Sequence, residues 1–173
     1  MPYSKVPTPA EYPPYYEQYI SKVSSTKDIL AQLKKQETLV LDLISSLSDE
    51  QLIYAYDEGK WTIAELLNHL IDTERIFTYR ALSIARGEEG SLPGYNHDAY
   101  VQTSFANAKS KMQLKEEYET NRKSTIALFR GFENERVDIM GEANGLKISV
   151  RSILYIIAGH EVHHLQVLKE KYF

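Results

Sequence analysis

Four stretches of this chain carry apolar residues at steps of three and four, and that spacing constrains the fold more than any other feature. The first begins near Ser25 and runs through Ile29, Leu30, Leu33, Val40, Leu43, Ile44 and Leu47. It stops before Ser48-Asp49-Glu50, which suits a short extra turn. The second opens on Thr62-Ile63-Ala64-Glu65, a capping box whose hydroxyl and carboxylate serve the free amides of a first helical turn. It continues through Leu66, His69, Leu70, Thr73, Ile76, Phe77, Ala81 and Ile84 to Arg86-Gly87, where glycine can end it. A third helix is expected from about Ser110 to Phe132, and a fourth from about Ser149 onward. Between the second and third lies a long connection, Gly87 to about Asn107, which holds Pro93-Gly94 and suits a short helix near Ala99. Val137-Asp138-Ile139 and Leu146-Lys147-Ile148, set around Gly141 and Asn144-Gly145, predict a small hairpin. The pattern predicts an all-α four-helix bundle with a long crossover between helices 2 and 3, in a single domain spanning residues 1–173. Five of the six prolines fall in the first fourteen residues among several tyrosines. Residues 1–20 are therefore expected to form an irregular arm that packs on the body.

Composition narrows the setting. The 173 residues suffice for a substantial core, and a net charge of -4 with basic residues spread along the chain is no footprint for nucleic acid or an anionic membrane. There is no apolar run of about 18 residues and no apolar segment of signal-peptide type near the N-terminus. Zero cysteines exclude a disulfide, a thiolate ligand and a cysteine nucleophile within the chain. A cytoplasmic protein is expected.

The last helix carries His160-Glu161-Val162-His163-His164, literally H-E-x-x-H, with two imidazoles one turn apart on one face. Residues 165–173 hold no histidine and one carboxylate, Glu170, so a third metal ligand is expected from upstream. With His160 at zero on a 100° wheel, His164 falls at about 40°, amid Ile153, Ile156, Ile157 and Val167. His163 sits at about -60°, on the shoulder, and Arg151 and Lys169 lie opposite. On the second helix His69 shares the buried side with Leu66, Thr73 and Ile76. The direction of His97, in the crossover, cannot be read from periodicity. Core histidines are ordinarily hydrogen-bonded to a neighbour, but two facing inward at this spacing could also serve one divalent ion through neutral nitrogens.

With these residues in view, the chain resembles the DinB-like family of metal-dependent enzymes, and is similar to thiol-dependent transferases that act with bacillithiol or mycothiol. The matching stretches are Gly59-Lys60-Trp61-Thr62, Glu65 through Arg75, Leu92-Pro93-Gly94-Tyr95 and Ala158 through Leu165. The resemblance implies a metal triad of His69, His160 and His164, with zinc or nickel as the ion, and assigns no role to His97.

Three histidines would leave a coordination position open, as in catalytic rather than structural sites. Two chemistries suit such a site. A low-molecular-weight thiol could attack an electrophile, the transferase reading that the resemblance favours, or metal-activated water could hydrolyse an ester or amide. A non-catalytic, metal-stabilised ligand-binding bundle is the third reading. Glu161 and Arg80 are the secondary catalytic candidates. Glu161 could act as a base, although a surface carboxylate or one that orients a ligand is the plainer expectation. Arg80, at about 20° from His69, could hold an anionic group, although a carboxylate partner or snorkelling to solvent is the plainer role. Glu65 is explained by its cap. The expected partners are a small-molecule substrate and a small thiol, with no nucleic acid and no membrane; a homodimer is an open option.

Overall fold

A computed structural model of the chain describes residue 3 and residues 5–173, with Asn134 described in its backbone alone. Met1, Pro2 and Ser4 of the expected arm lie outside the described residues. The arm is a succession of short 3-10 turns, Pro9–Glu11 and Pro14–Tyr16, followed by α1 (Glu17–Ile20) and a last 3-10 turn, Ser21–Val23. Four long helices then form the bundle: α2 (Ile29–Ser46), α4 (Ile63–Ala85), α6 (Lys111–Arg130) and α7 (Val150–Lys171). Two short helices, α3 (Asp49–Leu52) and α5 (His97–Thr103), punctuate the connections. The crossover between the second and third bundle helices is the segment that carries α5. Among the described residues no helix is long and apolar enough to cross a membrane.

Local chemistry sets the helix starts. Asp28 accepts hydrogen bonds from the amides of Leu30 and Ala31, and Thr62, Ser110 and Ser149 each head a capping box at α4, α6 and α7. The hairpin pairs β1 (Met140–Ala143) with β2 (Leu146–Ser149) through Asn144 and Gly145, both at positive φ. Val137–Ile139, expected as the first strand, lies outside it. A two-residue turn sets Ala143 opposite Leu146, so pairing counted outward ends at Met140 and Ser149, where α7 begins.

The hairpin holds the crossover in place. The Leu92 amide donates to the Glu142 carbonyl at 2.9 Å, and the Asn144 amide donates back to the Leu92 carbonyl at 2.8 Å. The arm is clamped as well. A Cβ at Gly159 would stand 2.0 Å from the Tyr19 carbonyl oxygen, so α1 crosses α7 where only glycine fits. Arg151, which the wheel turns outward, is instead covered by the arm and pairs with Glu11 at 2.8 Å and Asp138 at 2.6 Å.

Apolar packing falls into two clusters, one at each end of the bundle. Every bundle helix passes from one to the other at a buried polar residue: Gln36 on α2, Glu74 on α4, Arg122 on α6 and Glu161 on α7. Arg122 is fully buried and bonds Glu74 at 2.8 Å, Glu161 at 2.7 Å and the Leu33 carbonyl at 3.1 Å, so one guanidinium reaches the other three helices. Tyr118 completes the cluster by donating to Glu161 at 2.7 Å. Burial alone would weaken the proton affinity of Arg122, but Glu161 and Glu74 outweigh it and raise the pKa well above the ordinary value. Arg122→Met should therefore strand two buried carboxylates and cost about 3–5 kcal/mol in urea unfolding. A loss below about 1 kcal/mol would show that the layer is dispensable.

Candidate metal centre

His69 lies on α4, and His160 and His164 lie one turn apart on α7, which packs along it. The His160 Nε2 is 3.2 Å from the His69 Nε2 and 3.0 Å from the His164 Nε2. One ligand atom from each of the three lies within 4.8 Å of the others. Tetrahedral coordination at a metal–nitrogen distance of about 2.05 Å puts neighbouring ligands about 3.3 Å apart, so the cluster fits a divalent ion closely.

The electrostatics suit a cation at the same point. His69 is pushed down to about 4 and His164 to about 3, in each case first by burial and then by neighbouring imidazoles. The same causes hold His160 well below its ordinary value. All three rings are neutral at pH 7 and offer lone pairs. A single proton on His160 Nε2 can bridge to only one of its two neighbours, whereas a divalent ion uses all three. His69 is oriented from behind: its Nδ1 lies 3.4 Å from the Thr73 hydroxyl, which is 2.9 Å from the Tyr95 hydroxyl. Such outer contacts fix which ring nitrogen faces an ion. The Nδ1 of His164 has no partner among the described residues, so the ring is engaged through Nε2, the nitrogen that faces the cluster.

The cluster forms part of the wall of a cavity of about 510 Å³. Trp61 packs against His69 at 4.8 Å between centroids with the rings tilted by 50°, and Tyr19 meets His160 edge-on at 5.2 Å. Tyr16 and Tyr19 come from the arm, and Tyr95 and His97 from the crossover. The His97 ring stands 5.9 Å from that of His69. The signal for its position was the Pro-Gly bend before it, but the crossover's fold depends on the hairpin, which periodicity does not reveal. His163 also lines the cavity, half-buried against Tyr19, and stands outside the cluster of three.

The two secondary candidates are placed differently from their plainer expectations. Glu161 is not at the surface and stands outside the cluster of three; it is 2 % exposed and bound to Arg122 and Tyr118, on the α6 side of α7. Burial there raises its carboxyl pKa despite the pull of Arg122. Arg80 does not reach solvent, and it pairs with no carboxylate among the described residues. It is buried in the cavity wall and donates to the Pro93 carbonyl at 2.8 Å. Glu65 stays with its cap, accepting from the Thr62 amide at 2.8 Å and from Asn107 at 3.0 Å.

Three lowered histidine pKa values imply a pH dependence of stability in protein freed of metal. In the unfolded chain these histidines take up protons near pH 6.5, while in the folded state they resist until about pH 4 or below. The folded state therefore loses stability as pH falls through that window, by roughly 2 kcal/mol for each such histidine between pH 7 and pH 5. Chelator-treated protein should melt markedly lower at pH 5 than at pH 7. His69→Gln combined with His164→Gln should flatten the profile; an unchanged slope would contradict the assignment.

Comparison with known proteins agrees with this geometry. Residues 32–168 match the DinB superfamily. A protein of Oceanobacillus iheyensis, provisionally named a metal-dependent hydrolase, is 30% identical over 149 residues, covering 83% of this chain and 84% of its own. Among solved structures, YfiT from Bacillus subtilis, described as a probable metal-dependent hydrolase with an unusual four-helix bundle topology, superposes with a TM-score of 0.67 at 18% identity. That match covers 92% of this chain and 91% of YfiT. The mycothiol-dependent maleylpyruvate isomerase superposes with a TM-score of 0.65 at 13% identity, over 79% of this chain and 58% of that one. From the match along most of its length and the shared bundle, this chain belongs to the DinB superfamily.

Proposed function

We propose that this chain is a divalent-metal-dependent transferase in which His69, His160 and His164 hold the ion and a small thiol attacks an electrophilic substrate in the adjoining cavity. The observation that carries the reading is a cluster of three neutral imidazoles in a cavity whose described lining contains no carboxylate. Hydrolases of the H-E-x-x-H type use the glutamate as the base that activates water. Here the corresponding glutamate, Glu161, is committed to Arg122. A thiol, with an ordinary pKa near 8.5, needs less help than water to lose its proton. Zinc or nickel, when bound, would supply the Lewis acidity that lowers the proton affinity of a thiol or water at an open position.

The chain's own residues supply orientation and proton acceptance. Thr73 and Tyr95 steady His69, and Trp61, Tyr16, Tyr19 and Phe77 wall the cavity with apolar surface that excludes water. The pKa of His163 is lowered by burial and then by Lys22, so it is neutral at pH 7 and can accept the thiol proton. The cysteine-free sequence is consistent with the thiol arriving as cosubstrate, and with a cytoplasmic setting. The second reading, metal-dependent hydrolysis, is favoured by the name of the Oceanobacillus relative and the description of YfiT.

Elemental analysis of untagged protein should find about one zinc or nickel per chain, retained in His163→Ala and lost in His164→Ala. In a panel of small thiols with a chromogenic electrophile, His164→Ala should lose at least about 100-fold in turnover, and His163→Ala should retain metal with a weaker, pH-shifted rate. Turnover of activated esters without any thiol would replace the transferase with the hydrolase. Silence in both panels would leave a ligand-binding bundle.

A further inference from the structure

Arg80 is the one internal arginine described here whose charge is left unmatched. Arg122 has Glu74 and Glu161, and Arg151 has Glu11 and Asp138. Arg80 is 3 % exposed, and among the described residues it has no carboxylate within ion-pair reach and its Nε has no hydrogen-bond partner. A buried cation without a counter-charge is costly, which asks for a reason to keep it. Its position gives one. The guanidinium lines the cavity and lies over the Phe77 ring at 5.1 Å and the Tyr95 ring at 5.9 Å, which hold its planar fork in a fixed orientation.

We propose that Arg80 anchors a substrate carboxylate, so that the cavity takes a monocarboxylate with an apolar or aromatic body and its reacting end at the three histidines. The proposal rests on the cavity being the substrate site, and it adds a substrate class to that reading. His69, Thr73, Phe77 and Arg80 stand on successive turns of one face of α4, and all four line the cavity. Eleven residues of helix span about 16 Å, and an arginine side chain leaning toward the helix N-terminus shortens the gap to roughly 10 Å. Between the two ends the walls are Phe77, Tyr16 and Tyr95, apolar faces that suit the body of such a molecule. Neither tyrosine serves as the missing counter-anion: burial raises both hydroxyls above their ordinary pKa, against the pull of Arg80. The carboxylate could belong to the thiol or to the electrophile, since both meet at the same end.

Trp61, the single tryptophan of the chain, lines this cavity and reports binding by its fluorescence. The probes are 4-phenylbutanoate and its neutral twin 4-phenylbutanamide, titrated into the protein as purified at pH 7.5. The acid should bind at least about tenfold more tightly than the amide, as a charge-assisted contact predicts. Arg80→Gln should erase that preference by weakening binding of the acid far more than that of the amide. Arg80→Lys, which keeps a cation at this place, should retain part of the preference that Arg80→Gln loses, a rescue that a purely structural arginine would not show. Equal binding of acid and amide, or a preference that survives Arg80→Gln, would overturn the proposal. Should the variants fail to fold, the wild-type melts still decide: the acid must raise the melting temperature more than the amide does. The same titration with 6-mercaptohexanoate and its amide assigns the carboxylate, to the thiol if an Arg80-dependent preference reappears and to the electrophile if it does not. None of these readouts requires turnover, so a failed thiol assay and a failed carboxylate preference are separate results.

Discussion

The structure is organised around a guanidinium that has no contact with water. Arg122 satisfies two carboxylates and a backbone carbonyl drawn from the three other bundle helices, so the helices can slide or rotate only by breaking charged hydrogen bonds in a dry interior. An apolar layer at the same height would tolerate several rotations of each helix; this one tolerates a single arrangement. Glu161 and His160 are consecutive, about 100° apart on α7. Fixing Glu161 toward α6 therefore fixes His160 toward α4, where His69 waits. The convergence of the three histidines is a geometric consequence of the ion pair beside it. The same commitment takes the carboxylate of the H-E-x-x-H string away from the site and leaves a cavity lined by neutral and cationic groups.

How far the sequence announces this can be judged residue by residue. The helices are legible because their apolar spacing and their caps agree: Thr62, Ser110 and Ser149 each start the helix that their side chains satisfy. The inward direction of His160 and His164 is legible for the same reason, since a wheel reports which side of a helix is apolar. A wheel does not report what another segment brings to the opposite side. Arg151 sits on the polar face of α7, and only the fold of the arm buries it beneath Glu11. Arg122 looks like one charge among many on a polar helix, because its two partners are 48 and 39 residues away in the chain. The second strand lies where composition places it, while the first begins at Met140 rather than Val137, since β-favourable composition at Val137–Ile139 counts for less than the register that Asn144-Gly145 imposes.

The site is assembled from two kinds of structure. Its histidines stand on bundle helices locked by the Arg122 layer. Much of its wall comes from the arm, through Tyr16 and Tyr19, and from the crossover, through Tyr95 and His97. The arm is held by the close approach at Gly159, by the pair of Glu11 with Arg151 and by Tyr12, Tyr19 and Ile20 in the core, and the crossover by the hydrogen bonds between Leu92 and the hairpin and the bond from Arg80 to the Pro93 carbonyl. The three imidazoles are thus fixed by the bundle, and the wall around them by segments packed onto it.

That division lets two properties change independently over evolutionary time. Replacing residues of the arm or the crossover alters the shape and polarity of the chamber without disturbing the helices that set the spacing of the imidazoles. A lineage built on this plan can change the lining of the chamber through the few arm and crossover residues that face it. Mutations in the Arg122 layer have no such freedom, because they reach the spacing itself.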